Sequence, residues 1–119
     1  MNFDLRAPCA NCPFRTDITF YLDTSRVVEI CDAITRRQHT FACHKTTKHD
    51  DETGRCIPHK GEQHCAGALV MLERLDRPNQ MMRIAERLRY YDRTKLRMDS
   101  PVFESPAAMI EHYRKLNRT

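Results

Sequence analysis

Four stretches of the sequence carry apolar residues at helical spacing, and they set the expected architecture. In residues 24–37, Val27, Ile30, Cys31 and Ile34 recur at i, i+3, i+4 and i+7, the pattern of one buried helix face. Thr24 or Ser25 can cap its start, with Glu29 one turn in, and Arg36 and Arg37 suit the negative end of the helix dipole. Residues 65–76 predict a second helix. Ala66 to Leu72 is apolar on all sides except at Gly67, so this should be the most buried helix, stopped by Pro78. Residues 79–91 predict a third, with Met81, Met82, Ile84, Ala85 and Leu88 inward and Arg83, Glu86 and Arg87 outward. Residues 105–117 predict the last, with Ser105 as N-cap, Pro106 at the first helical position and Met109, Ile110, Tyr113 and Leu116 as its stripe.

Between these helices the pattern lapses. In residues 7–15, Pro8 and Pro13 bracket two cysteines and block regular helix, so the segment reads as a knuckle. Residues 39–64 hold five histidines and two cysteines with no lasting period, apart from a short strand expected near Thr40–Cys43. A loop this long in a compact domain calls for a function or a tethering ligand. Residues 92–104 are irregular, with Asp99-Ser100-Pro101 as a turn. The expected fold is mainly α: four helices and a long Cys/His-rich loop region organised by one metal centre, with room for a little strand.

Composition narrows this reading. The chain has 119 residues, with 6 Cys, 6 His and only 3 Gly, which suits a single domain with a small core that recruits a staple. Few glycines argue against a sandwich or barrel. There is no apolar run long enough to span a bilayer, and the segment 1–8 lacks an apolar signal core, so a cytoplasmic protein with no membrane association is expected. Residues 1–65 carry 9 Lys+Arg against 9 Asp+Glu and all of the cysteines; residues 66–119 carry 11 against 7. The expected domain therefore has a ligand-bearing front (1–65) and a basic helical back (66–119).

Cys9 and Cys12 form a C-x2-C pair, a spacing that lets two sulfurs meet one metal from a tight turn. A second pair must come from elsewhere. Cys31 sits on the apolar face of the first helix and reads as core. Cys43 ends the stretch Phe41-Ala42-Cys43. Cys65 opens the most buried helix, where dipole and free amides favour a thiolate, and Gly67 behind it lets a bulky centre approach. Cys56 lies in the most polar loop and ranks lower. The preferred ligands are Cys9, Cys12, Cys43 and Cys65, with His44, His64 and Cys56 as possible substitutes. A disulfide framework fits the even count but not a reducing compartment, and a thioredoxin-like redox pair lacks its βαβ setting. Proline beside the knuckle and aromatic neighbours favour a [4Fe–4S] cluster. One zinc ion is the alternative, drawn by the nearby histidines.

Three blocks, Cys9-x2-Cys12-Pro13-Phe14-Arg15, Phe41-x-Cys43-His44-Lys45-Thr46 and Gln63-x-Cys65-Ala66-Gly67-Ala68-Leu69, resemble a family of short uncharacterised proteins of bacteriophages and actinobacteria. The resemblance spans residues 9–72 and implies the same four cysteines as the shared set, with no activity to transfer. The WhiB-like iron–sulfur regulators are similar in design only; their cysteine order differs and their Trp-containing turn is absent here.

Arg83, Arg87, Arg89, Arg93, Lys95 and Arg97, interleaved with Tyr90 and Tyr91, are the candidate nucleic-acid contacts. Glu86 and Asp92 partly neutralise them, and a host or phage protein is an equal candidate partner. The sequence has no Ser-His-Asp pattern, glycine-rich phosphate loop or H-E-x-x-H, and it identifies neither catalytic residues nor a small-molecule substrate. The expected function is that of an accessory or regulatory iron–sulfur protein, with a structural zinc module second and a cluster-dependent enzyme third.

Overall fold

The computed structural model describes residues 2–18, 21–43, 46, 48–49, 52–53, 56–57 and 61–117, with the backbone alone for 48–49 and 56–57. Four helices dominate: α1 (Thr24–Thr35), α2 (Ala66–Arg74), α3 (Gln80–Arg87) and α4 (Pro106–Asn117). Two short strands, β1 (Lys48–His49) and β2 (Cys56–Ile57), pair antiparallel within the long loop region. A single 3-10 turn covers Arg93–Lys95.

The apolar stripe of α1 is buried as its spacing demands: Val27, Ile30, Cys31 and Ile34 face inward and pack on α4 through Met109 and Tyr113. Asp23, not Thr24 or Ser25, occupies the N-cap position, and its side chain makes no capping bond. Asn117 fastens the far end of the pair by donating to the Leu22 carbonyl and the Thr24 hydroxyl, both at 2.9 Å. Every residue of α2 from Ala66 to Leu72 is buried. Helix α3 is capped by the buried Asn79, whose Oδ1 accepts from the Met82 amide at 2.9 Å. In α4, Ser105 Oγ accepts from the Ala108 amide at 3.2 Å, the expected cap.

The third helix departs from expectation. Met82 and Ala85 are its only buried residues; Met81, Ile84 and Leu88 are exposed. At about 100° per residue, Met81, Ile84 and Leu88 form one stripe and Met82 with Ala85 a second beside it. The sequence pattern merges the two into one broad face, yet an eight-residue helix lying at the edge of the core covers only one. The expected strand at Thr40–Cys43 shrinks to one antiparallel bridge, Ala42 to His64.

Front and back halves interlock. Arg15 forms a bridge with Val102, and the Tyr113 hydroxyl donates to the Pro13 carbonyl at 2.7 Å. The irregular segment 92–104 is held mainly by Arg74, whose guanidinium donates to the carbonyls of Met98, Ser100 (2.7 Å) and Val102 (2.8 Å). A planar cation meeting three carbonyls does here what a sheet ladder would do elsewhere.

Helices α2 and α3 end without glycine. Asp76 (φ 55°) and Arg89 (φ 64°) stand in the left-handed conformation that such endings require. At α3 the Arg89 amide bonds the Glu86 carbonyl (3.1 Å) and the Tyr90 amide the Ala85 carbonyl (2.8 Å), a complete Schellman ending. A side chain in this conformation costs about 1–2 kcal/mol that glycine avoids, less the greater freedom glycine gives the unfolded chain. Arg89→Gly should therefore raise stability by about 0.5–1 kcal/mol, read as a higher urea midpoint at unchanged slope. Arg74→Met should act the other way, lowering stability by about 2 kcal/mol in the same titration, because it strips a charged donor from three carbonyls.

Candidate metal centre

Three separate segments deliver the four preferred cysteines. The knuckle is a tight turn: the Cys12 amide bonds the Cys9 carbonyl at 3.2 Å, and the Arg15 amide bonds the Cys12 carbonyl at 3.1 Å. Tyr113 anchors it through Pro13, and the Phe103 amide through the Phe14 carbonyl at 3.1 Å. Cys43 and Cys65 arrive on two chain segments joined at the Ala42–His64 bridge. The Cys43 amide bonds the Gln63 carbonyl (2.8 Å) and the Cys65 amide the Phe41 carbonyl (2.7 Å). Thr46 closes the turn after Cys43, its hydroxyl donating to the Cys43 carbonyl at 2.9 Å and receiving the Gln63 amide at 3.0 Å.

The sulfurs form two close pairs. Cys12 Sγ and Cys65 Sγ lie 3.6 Å apart, both buried, and Cys9 shares a side-chain hydrogen bond with Cys43. Cys9 also feels the charge of Cys12. Among the described residues, no three His, Cys, Asp or Glu side chains already stand as a ready set around one ion.

The surroundings favour negative sulfur at Cys12. Its thiol is held below the ordinary value first by the hydrogen bond from Cys65, against the cost of burial, and then by the amides of Phe14 and Gly67 and the charge of Arg15. Cys65 is pushed well above the ordinary value, first by giving its proton to that same bond and then by burial. The two sulfurs share one hydrogen bond, and the surroundings favour negative charge on Cys12 over Cys65. The Gly67 and Ala68 amides at the start of α2 favour negative charge on Cys65 too, although none makes a formed capping bond. Cys9, half-buried, is raised by burial first, with the Asn11 amide opposing. Arg15 holds Asp17 in a bidentate pair (2.8 and 2.6 Å) while also donating to the Cys9 carbonyl at 3.3 Å, so a cation stands beside the knuckle.

Gly67 is the tightest point. A Cβ there would lie 2.6 Å from Cys12 Sγ and 2.9 Å from Phe14 Cβ. Phe14 is fully buried and meets Phe41 edge-on at 5.5 Å, which gives the sulfurs an aromatic wall.

The other candidates separate cleanly. Cys31 is a core residue: its thiol donates toward Met109 Sδ at 3.9 Å, and burial pushes it up to about 11. His64 is fully buried and spends both ring nitrogens on the protein. Nδ1 faces the Cys65 carbonyl at 3.1 Å as donor, and Nε2 accepts from the Phe41 amide at 3.3 Å. Burial holds its pKa down at about 4, so it is a neutral structural residue stacked on Phe3 at 5.4 Å. His44 and the Cys56 side chain lie outside the described residues. Arg83, Arg87, Arg89, Arg93, Lys95 and Arg97 are all exposed. Arg15, Arg74 and the Tyr113 hydroxyl serve the site or its support, roles that the sequence pattern did not assign them. Only Arg15 carried a signal, its position in the block Cys12-Pro13-Phe14-Arg15.

Residues 4–118 match the model of a family described as a family of unknown function, DUF6283. No curated protein and no solved structure matches the chain.

Gly67→Ala should destabilise the fold by about 1–3 kcal/mol, because neither Cys12 nor the backbone of α2 can withdraw. Thermal denaturation checks it, with Gly61→Ala, at an exposed turn, as the mild comparison.

Proposed function

We propose a thiolate-bound metal centre as the working part of this chain, which belongs to the DUF6283 family of unknown function. Cys9, Cys12, Cys43 and Cys65 are its ligands, and the protein acts as a binding or regulatory module organised by that centre. The carrying observation is the meeting of Cys12 and Cys65, 53 residues apart in sequence, with backbone amides and Arg15 turned toward their negative charge. Such surroundings suit sulfurs that must remain deprotonated as ligands.

The separation of this pair supports one tetrahedral ion first. With Zn–S bonds of about 2.3 Å the edge of a thiolate tetrahedron is about 3.8 Å, close to the 3.6 Å between Cys12 and Cys65. A zinc ion here ties the knuckle, the Cys43 turn and the start of α2 together, supplying the staple that so small a core lacks. Phe14 and Phe41 meet edge-on beside the sulfurs and backbone amides approach Cys12, which supports a [4Fe–4S] cluster as the second reading. In that case the Cys12–Cys65 pair must open, since thiolates on different irons stand farther apart.

Anaerobically purified protein should carry one zinc per chain and be colourless, as read by elemental analysis and absorption. Brown protein containing iron and sulfide would establish the second reading, and protein with neither metal would defeat both. Cys65→Ser should lose the metal, while Cys31→Ser, in the core, should keep it despite lower stability. Stripping the metal with a chelator should lower Tm by about 10 °C or more, since a bound ion adds at least ~3 kcal/mol to a domain of this size.

A further inference from the structure

The basic residues do not form one surface. Arg83 and Arg87 lie on the outer face of α3 beside Ile84 and Glu86. Arg89 and Lys95 turn the other way, toward the N-terminal segment, and a residue far away in sequence joins them. The Arg97 amide bonds the Arg6 carbonyl at 2.8 Å, which sets Arg6 at the rim of a cavity of about 230 Å³ shared with Arg89, Tyr90 and Lys95. A second depression of about 420 Å³ shares Arg89 and Lys95 and adds Arg93. Together they make one groove.

Acidic groups face this groove too, but two are already engaged. The Asp92 carboxylate is bonded to the Thr94 amide (3.0 Å) and hydroxyl (2.5 Å) while its charge still acts on Lys95 and Arg6, and Asp4 accepts from Gln63 Nε2 at 3.2 Å. Glu86 lies at the far edge. Among the described residues, none of Arg6, Arg89, Arg93 and Lys95 stands within ion-pair distance of a carboxylate. Tyr90 rises beside them, 71% exposed, with the first cavity at its foot. Arg89 is held there by a left-handed turn in which an arginine is a costly choice, so its position is bought against backbone preference.

We propose that this groove binds single-stranded nucleic acid, with successive phosphates on Arg6, Arg89, Lys95 and Arg93 and an unpaired base stacked on Tyr90. Spaced cations follow a phosphodiester backbone, and an exposed aromatic ring has use only for a base with a free face. A duplex offers phosphates but no such face, and an acidic protein surface offers no continuous phosphodiester to follow the cations.

Fluorescence anisotropy with a labelled oligo(dT) of about 20 nucleotides tests this on the 119-residue chain as purified. Raising salt from about 50 to 200 mM should weaken binding roughly 10- to 50-fold. Tyr90→Ala should weaken it about 5- to 100-fold. Arg89→Gly keeps the turn and deletes the charge, so it should weaken binding at least ~3-fold while the fold grows more stable. Arg36→Ser with Lys115→Ser, outside the groove, should stay within about twofold of wild type. Absent binding at low salt, or equal loss in that control, overturns the proposal. So does unchanged affinity in both Tyr90→Ala and Arg89→Gly, or tighter capture of duplex DNA or polyglutamate than of oligo(dT). Metal content, measured on every variant, keeps this result separate from the fate of the thiolate centre.

Discussion

The fold turns on one crowded contact, where Cys12 Sγ lies against Cys65 Sγ and above Gly67 at the start of α2. Helix α2 is buried along its whole apolar length, so its position fixes the core. Its first turn must also leave room for a sulfur from another segment. A residue without a side chain is the only one that fits there, and the amides it exposes are those that favour negative charge on sulfur. Packing and electrostatics therefore make the same demand of one position. The knuckle cannot drift, because Tyr113 and Phe103 hold it from the opposite side through Pro13 and Phe14.

Away from that contact the protein stabilises irregular backbone with side chains in place of ladders. Arg74 holds 98–102, Asn117 holds 22–24, and Asn79 caps α3 while donating to the His39 carbonyl at 3.4 Å. His64 belongs to this group. It satisfies the Phe41 amide and its own neighbour's carbonyl inside a shell where water cannot. Such fixtures make long connections possible in a small core, and they place the polar groups of the interior under strict geometric control.

The helices were legible because their burial is periodic: the stripe of α1 reappears residue for residue, that of α4 with Met109 and Tyr113 buried and Ile110 and Leu116 partly so, and α2 is buried as a continuous apolar run must be. The error at α3 has a geometric origin, since adjacent stripes are indistinguishable in one dimension when a helix is short. Of the four preferred cysteines the structure brings Cys12 to Cys65 and Cys9 to Cys43, two pairs and not one set. The core role of Cys31 was legible from local context. The fixtures were not, because Arg74 and Tyr113 act through backbone carbonyls across 24 to 100 residues, and a carbonyl has no identity in sequence. Arg6 shows the same limit: nothing near it in the chain points to Arg89.

The N-terminal segment ties the two regions of interest into one body. Asn2 pairs with Gln63, two residues before Cys65, the Phe3 ring stacks on His64 and lies 5.6 Å from Tyr91, and the Arg6 carbonyl receives the Arg97 amide. Five residues thus run from the flank of the Cys12–Cys65 pair to the rim of the basic groove. The footing of that segment is the 62–64 backbone, whose own position depends on the Cys43 turn and on Cys65. The cysteine end and Arg6 are thus footed on the same run of backbone hydrogen bonds.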